Sequence, residues 1–349
     1  MLDLTEHELL ATHDIVEHLV ADGRVCHGGF DAGGNYVSPR TLHRVPAIEA
    51  WGDHHTTTFG ADLVDIGIDE FPGHTPNVEQ AKLLIGSGTP EPIISILTRI
   101  GTVEGFGAFL RHVPVPTLQP LFSESIDGTA LAHLDRGLIE AHARDEAGFE
   151  DVAGHREMWF AARDIAFERP ATEDQTAIML ERMGIGAASG GTAAPALVRR
   201  WPDDTPVELE FLVDRLIRLV LIEISAFHTF SWAEAVLSDD DLVAGNGEAA
   251  RLVSHIRADE APHVGYLRVA LTELRDRTVI GASGRRHAGA DLLAALWDPA
   301  VADQRGPRRS ELESLVDREV RHAMAGRSDE ADLYAEFIAL GAPVGEDAA

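Results

Sequence analysis

The sequence predicts an all-α fold, and three observations carry that expectation. Apolar residues recur at spacings of three and four in long runs from residue 90 onward. Several of these runs open on helix-start signals, among them Thr172 with Gln175 in "TEDQTAIML" and Thr205, Pro206 and Glu208 in "TPVELEF". Residues 27–75, rich in Gly, His, Pro and Asp, sustain no strand-type alternation and read as loops with short helices.

Taken in order, the first twenty-odd residues read as an amphipathic helix ending near Gly23. A helix is expected from Pro90 to His112, stopped by Val-Pro-Val-Pro at 113–116. A second is expected from about Leu131 to Glu168, and a third from "TEDQTAIML". A fourth runs from Thr205, its N-cap, with Pro206 at the first position, to about Leu237, and a fifth from about Glu248 to Arg277. The stretch 289–340 adds two or three shorter helices. Residues 1–89 are expected to form an N-terminal extension, 90–277 the main bundle, and 278–349 a C-terminal helical extension packed on it.

Composition narrows the function. The chain has 349 residues, 45% of them hydrophobic, and a formal net charge of −29. Such a surface repels phosphate backbones, so nucleic acid and anionic membranes are poor partners. The run 219–237 is long enough to cross a bilayer, but Glu223, His228 and Glu234 interrupt it, which favours a core helix. The single cysteine, Cys26, excludes an internal disulfide and zinc-finger spacing. The start, MLDLTEHELL, lacks a basic segment followed by an apolar core, and a cytoplasmic protein is the expectation. No Lys-Ser/Thr follows "GTVEGFG" or "GAASGG" (186–191), so no P-loop is present, and no Gly-x-Ser-x-Gly elbow occurs. Gly52, Asp53, His54 and His55 could bind a metal at the surface, but they lack helical ligand spacing, which favours a solvated loop.

The chemistry lies on the apolar stripes. The fifth helix carries Leu252, Ile256, Leu267, Leu271 and Leu274; the two inward positions between them hold Glu260 and His263. Asp259 could orient a ligating histidine from behind, and Pro262 removes one helical hydrogen bond. On the fourth helix the stripe runs Leu212, Leu216, Leu219, Glu223, Phe227, Phe230. On the first it runs Ile93, Leu97, Ile100, Glu104, Ala108, with Gly101, Gly105 and Gly107 nearby, a sign of close packing or of room for a ligand. A buried ionised carboxylate costs several kcal/mol unless it is paired or metal-bound, on the order given by continuum arguments. One such glutamate is as well explained by a core ion pair, with Arg99 or Arg215 as partner; three together point to a metal site.

This pattern resembles the ferritin-like di-iron carboxylate superfamily, of the oxidase/oxygenase type. That family takes one Glu from each of two helices and a Glu-x-x-His from each of the other two. "TVEGF" (102–106) resembles its first ligand helix, "ARDEAGF" (143–149) the second, "LIEISAF" (221–227) the third and "ADEAPHVGYL" (258–267) the fourth. The resemblance implies a four-helix bundle with extra N- and C-terminal helices, and two iron ions, with manganese as the other metal, held by Glu104, Glu146, His155, Glu223, Glu260 and His263. It implies O₂-dependent oxidation of a small organic substrate (hydroxylation, desaturation or N-oxygenation). The alternative is a non-catalytic helical protein of the same fold with a degenerate site. The family's radical-tyrosine register falls on Ala153 or Trp159, which gives a tyrosyl radical no support, and Tyr266 reads as core. The sequence names no electron donor; a homodimer is an assembly it allows.

The departure is in the second motif, within DEAGFEDVAGH (145–155), where Phe149 stands in place of the histidine three residues after Glu146. Nine residues separate Glu146 from His155, about 900° of turn and ~13.5 Å of rise on a regular helix, so the two would face opposite ways. His155 can serve only if "GFEDVAG" loops out or holds a helical bulge. His142, four residues before Glu146, shares its face and is the other candidate.

Overall fold

A computed structural model describes residues 2–170, 172, 175–178 and 199–341. The chain is mostly helical, 62% helix against 8% strand, so the all-α expectation holds for the body of the molecule. The strands lie where the sequence predicted otherwise. Only Glu6–Leu9 (α1) is helical in the first twenty residues, followed by Glu17–Ala21 (β1), Arg24–Phe30 (β2) and Tyr36–Val37 (β3), an antiparallel sheet in the order β1-β2-β3. Asp22 and Gly23, both at positive φ (46° and 76°), make the tight turn between β1 and β2. Gly23 thus ends a strand, not a helix, because its φ suits a hairpin turn as well as a helix end. Within 27–75, read as loops with short helices, a longer helix forms, Arg44–Phe59 (α2), which contains Asp53, His54 and His55. His55 is buried with its Nε2 2.8 Å from Asp276, so that trio is neither a loop nor a shared site.

Val78–Gly86 (α3) opens on Asn77, whose side chain accepts from Gln80 N–H, and Gln80 returns the bond to Asn77 N–H. Glu91–Gly105 (α4) continues as a tighter 3-10 segment, Phe106–His112, and stops at Val113 as expected. This stretch, Glu91–His112, is long and apolar enough by length and composition to span a membrane.

The second expected helix is broken. It begins as a 3-10 turn at Leu131–His133, kinks at Arg136 and Gly137, becomes regular at Ile139–Ala147 (α5), stops at Gly148, and resumes as His155–Ala166 (α6). The capping pair of Thr172 and Gln175 forms, each backbone N–H bonded to the other's side-chain oxygen; most of the helix expected after it lies outside the described residues. The expected fourth helix is Val207–Leu237 (α7), its cap shifted by one residue. Pro206 is the N-cap, and the Thr205 hydroxyl donates to Pro202 O instead. The fifth is Glu248–Arg275 (α8), continuous through Pro262, followed by the short hairpin Thr278–Ile280 (β4) and Arg286–Ala288 (β5). Three helices close the described chain: Gly289–Arg305 (α9), Pro307–Met324 (α10) and Glu330–Gly341 (α11).

The principal helix contacts are α4 on α6, α6 on α8 and α8 on α7. α2 and α9 pack on the outside of α8, and the 3-10 segment after α4 lies along α5. Two apolar cores result. One centres on α7, α8 and the Leu131–Ile139 stretch, the other on α4, α6 and the C-terminal half of α7. The polar residues that the apolar stripes predicted to be inward lie between these cores. One assignment on those stripes was off: Phe227 is 44% exposed, while Phe230 is buried.

Candidate metal centre

Each helix of this bundle delivers carboxylates or imidazoles to one buried place. α4 supplies Glu104, α5 supplies His142 and Glu146, α6 supplies His155, α7 supplies Glu223, and α8 supplies Glu260 and His263. All six residues predicted from sequence come together there, and His142 joins them. Their atoms form two groups, each within 4.8 Å: His142, Glu146, Glu223 and His263; and Glu104, Glu146, His155 and Glu260. Glu146 belongs to both. Its Oε1 lies 3.4 Å from His142 Nε2 and 3.2 Å from His263 Nδ1, and its Oε2 lies 3.5 Å from His155 Nδ1. Glu260 likewise faces both groups, with Oε2 2.6 Å from His263 Nδ1 and Oε1 3.0 Å from His155 Nδ1. Glu223 Oε1 is 3.2 Å from His142 Nε2, and Glu104 Oε2 is 3.9 Å from His155 Nδ1.

The break between α5 and α6 makes this possible. Gly148 adopts φ 73°, ψ 177°, a conformation nearly confined to glycine, and ends α5. Phe149 and Val152 exchange backbone hydrogen bonds of 3.0 and 3.1 Å across a tight turn that holds Glu150 at φ 54°. Ala153 then pairs with β2, its N–H donating to Val25 O and its carbonyl accepting from His27 N–H. His155 opens the new helix α6 on the inward side. "GFEDVAG" therefore loops out, and the helical rise that separated Glu146 from His155 does not apply. The chain kinks earlier, at Arg136 and Gly137, so a helical bulge is not what brings His155 to Glu146. Phe149 is turned away from the centre. The Arg144 guanidinium sits 3.6 Å over its ring.

The glycines around Glu104 serve close packing. A Cβ at Gly107 would stand 2.1 Å from Glu146 Cβ, and one at Gly101 3.1 Å from Trp159 Cβ. Arg99 pairs with Glu319, and the Arg215 guanidinium stacks over Phe211; neither arginine neutralises an inward glutamate.

The far nitrogens of the imidazoles are fixed by a second ring of groups. His263 Nε2 is 2.9 Å from Asp145, which also takes Arg40 and Arg44. His155 Nε2 is 3.4 Å from Asp259, whose Oδ2 also accepts the Tyr36 hydroxyl at 2.9 Å. His142 Nδ1 is 3.1 Å from Tyr266 OH. The sequence singled out Asp259 for such a role. It missed Asp145, Arg40, Arg44 and Tyr36, because nothing local in the sequence links residues 36–44 to a carboxylate a hundred residues on.

The electrostatics reflect this crowding of buried charges. Burial and the charge of Glu146 hold Glu104 well above the usual carboxylate range. Burial, with Glu260 beside it, raises Glu223 to about 7. At His155 and His263 burial opposes the charged ring, but the carboxylates Glu146 and Glu260 outweigh it and raise both well above the ordinary histidine value. At Asp145 burial is likewise outweighed, by Arg40 and Arg44, which keep it well below the carboxylate range. A buried cluster of this kind retains protons where it has no cation. Four of its inward atoms, His142 Nε2, Glu146 Oε1, His155 Nδ1 and Glu260 Oε1, are buried without a hydrogen-bond partner. Each is an atom that faces the neighbouring ligands, while the nitrogens turned outward are satisfied. Unmet buried polar atoms cost roughly 1–3 kcal/mol each, and a cation held by their lone pairs removes that cost. The chemistry of the donor set therefore fits metal ions.

No family model, curated protein or solved structure matches the chain.

Proposed function

We propose that the chain is a non-haem di-metal oxidoreductase that uses dioxygen to oxidise a small organic substrate. The observation that carries this reading is that two ligand groups share Glu146 and that four of their inward atoms are unpartnered. α4, the α5–α6 pair, α7 and α8 are then read as a ferritin-like four-helix bundle, with residues 1–89 and 278–349 as extensions. One ion would be held by Glu104 and His155, the other by His142, Glu223 and His263, with Glu146 and Glu260 reaching both. Oxygen-rich sets with one or two imidazoles suit iron, with manganese next; structural zinc more often takes four tetrahedral nitrogen or sulfur donors. When bound, such a pair supplies the electrons and Lewis acidity that dioxygen reduction needs. The protein's part is to keep the site dry, to fix each imidazole from behind through Asp145, Asp259 and Tyr266, and to hold the carboxylates close.

The reading is tested by anaerobic Fe(II) titration of the metal-stripped full chain, followed by oxygen exposure. The expected result is about two ions bound per chain, counted by elemental analysis, and oxygen uptake stoichiometric with iron. Wild-type protein that binds no metal after reconstitution would sink it, as would uptake unchanged in Glu146→Ala.

A further inference from the structure

The two ligand groups are not equivalent. The Glu223 group carries two imidazoles, the Glu104 group one. The outward supports differ as well. His263 is held at 2.9 Å by an Asp145 that two buried arginines keep charged. His142 rests on the hydroxyl of Tyr266, which lies on α8 in the protein core. His155 is held at 3.4 Å by Asp259, one of whose oxygens has no partner, and Asp259 is steadied by a residue outside the bundle. That residue is Tyr36, on β3 of the N-terminal sheet. Its placement is built in. The ring stacks on His255 of α8 with centroids 4.0 Å apart, and Gly28 on β2 leaves the space its hydroxyl fills, since a Cβ there would lie 2.1 Å from that oxygen. The same sheet grips Ala153, two residues before His155.

Resting on the di-metal reading, we infer that Tyr36 is a positioning residue for the Glu104–His155 metal position alone, and that this position is the weaker of the two. The physical reason is tautomer control. With Nε2–H donating to Asp259, the His155 lone pair is left on Nδ1, the nitrogen aimed at Glu104, Glu146 and Glu260. The Tyr36 hydroxyl fixes the Asp259 carboxylate that receives this proton. Without it the carboxylate is free to turn, and His155 loses its orientation. Fewer imidazoles and a looser support both lower affinity at this position, while Tyr266 acts on the other through His142.

The test is a pair of conservative variants that each remove one hydroxyl. Tyr36→Phe keeps the stack on His255, and Tyr266→Phe keeps the core volume. Metal-stripped full-length wild type and both variants are titrated with Co(II), followed by calorimetry and by the visible cobalt bands. Wild type is expected to bind two ions in two affinity classes. Tyr36→Phe should weaken the weaker class about tenfold or more and leave the tighter class within twofold, in line with the cost of removing outer-shell support. Tyr266→Phe should do the reverse. Thermal denaturation of the metal-free proteins serves as the control for folding and should match wild type within a few degrees. Wild type binding two ions with both classes equally affected by Tyr36→Phe, or neither, overturns the inference while leaving the di-metal reading standing. Wild type binding no Co(II) overturns both.

Discussion

Glu146 Oε2 lies 3.5 Å from His155 Nδ1, although nine residues and a complete helix break separate them. The other oxygen of the same carboxylate faces His142 and His263. Glu146 thus belongs to both ligand groups, and both should depend on it more than on Glu104, which belongs to one. Glu146→Ala is expected to abolish binding of both ions, whereas Glu104→Ala should leave about one ion per chain. Elemental analysis after reconstitution and desalting separates these outcomes; equal losses in the two variants would mean that Glu146 is not shared.

The turn at 148–154 should be intolerant of a side chain at its first residue. Gly148 has φ 73° and ψ 177°, and a Cβ there would meet Val152 O at 2.5 Å. Gly148→Ala is expected to destabilise the fold by about 2–4 kcal/mol, from backbone strain combined with the clash. Urea denaturation of the metal-free protein measures it. The variant should also bind metal less tightly, because the turn sets where α6 begins.

Gly107→Ala offers a local contrast. The added methyl would stand 2.1 Å from Glu146 Cβ, so the Glu146 side chain must move. The expected outcome is loss of metal binding with a stability cost of roughly 1–3 kcal/mol, the range for overpacking. Retention of both ions would show that the 3-10 segment yields instead.

A pH dependence follows from His74, which is remote from the centre. Its ring stacks on Trp232 at 4.0 Å and one ring nitrogen bonds Pro76 O; burial lowers its pKa to about 4. Below the unfolded value near 6.5 the unfolded chain takes up a proton that the folded chain refuses, so stability falls as pH drops from about 6.5 to 4. The slope attributable to one such group is at most about 1.4 kcal/mol per pH unit. His74→Phe keeps an aromatic ring for the stack and should flatten the stability–pH curve across that window relative to wild type. An unchanged slope would show that His74 titrates normally.

Much of the bundle and of the centre could be read from sequence, for a physical reason. Glu104, Glu223, Glu260 and His263 each occupy a position on a regular helix where periodicity demands an apolar residue, so the anomaly is local and visible. His155 was accessible only as a condition, because its place depends on a turn stabilised by pairing with β2. The N-terminal sheet was missed outright. Its strands are short and partly exposed, and β2 contains two adjacent glycines, so residues 17–37 carry neither a clean alternation nor β-branched runs. Arg40, Arg44 and Tyr36 act on carboxylates far along the chain, and periodicity within a window cannot see such pairs.

The grip of β2 on Ala153 also bears on the order in which the molecule can be built. Synthesis delivers Val25–His27 long before Ala153, and His263 last among the clustered residues. The nascent sheet therefore leaves the ribosome with those backbone groups unpaired. It must remain in that state while more than a hundred residues emerge, a distant closure of the kind that slows folding and exposes a chain to association. The clustered residues are complete only once His263 has emerged, so any ion they hold would meet a chain in which Ala153 and β2 have already had time to pair.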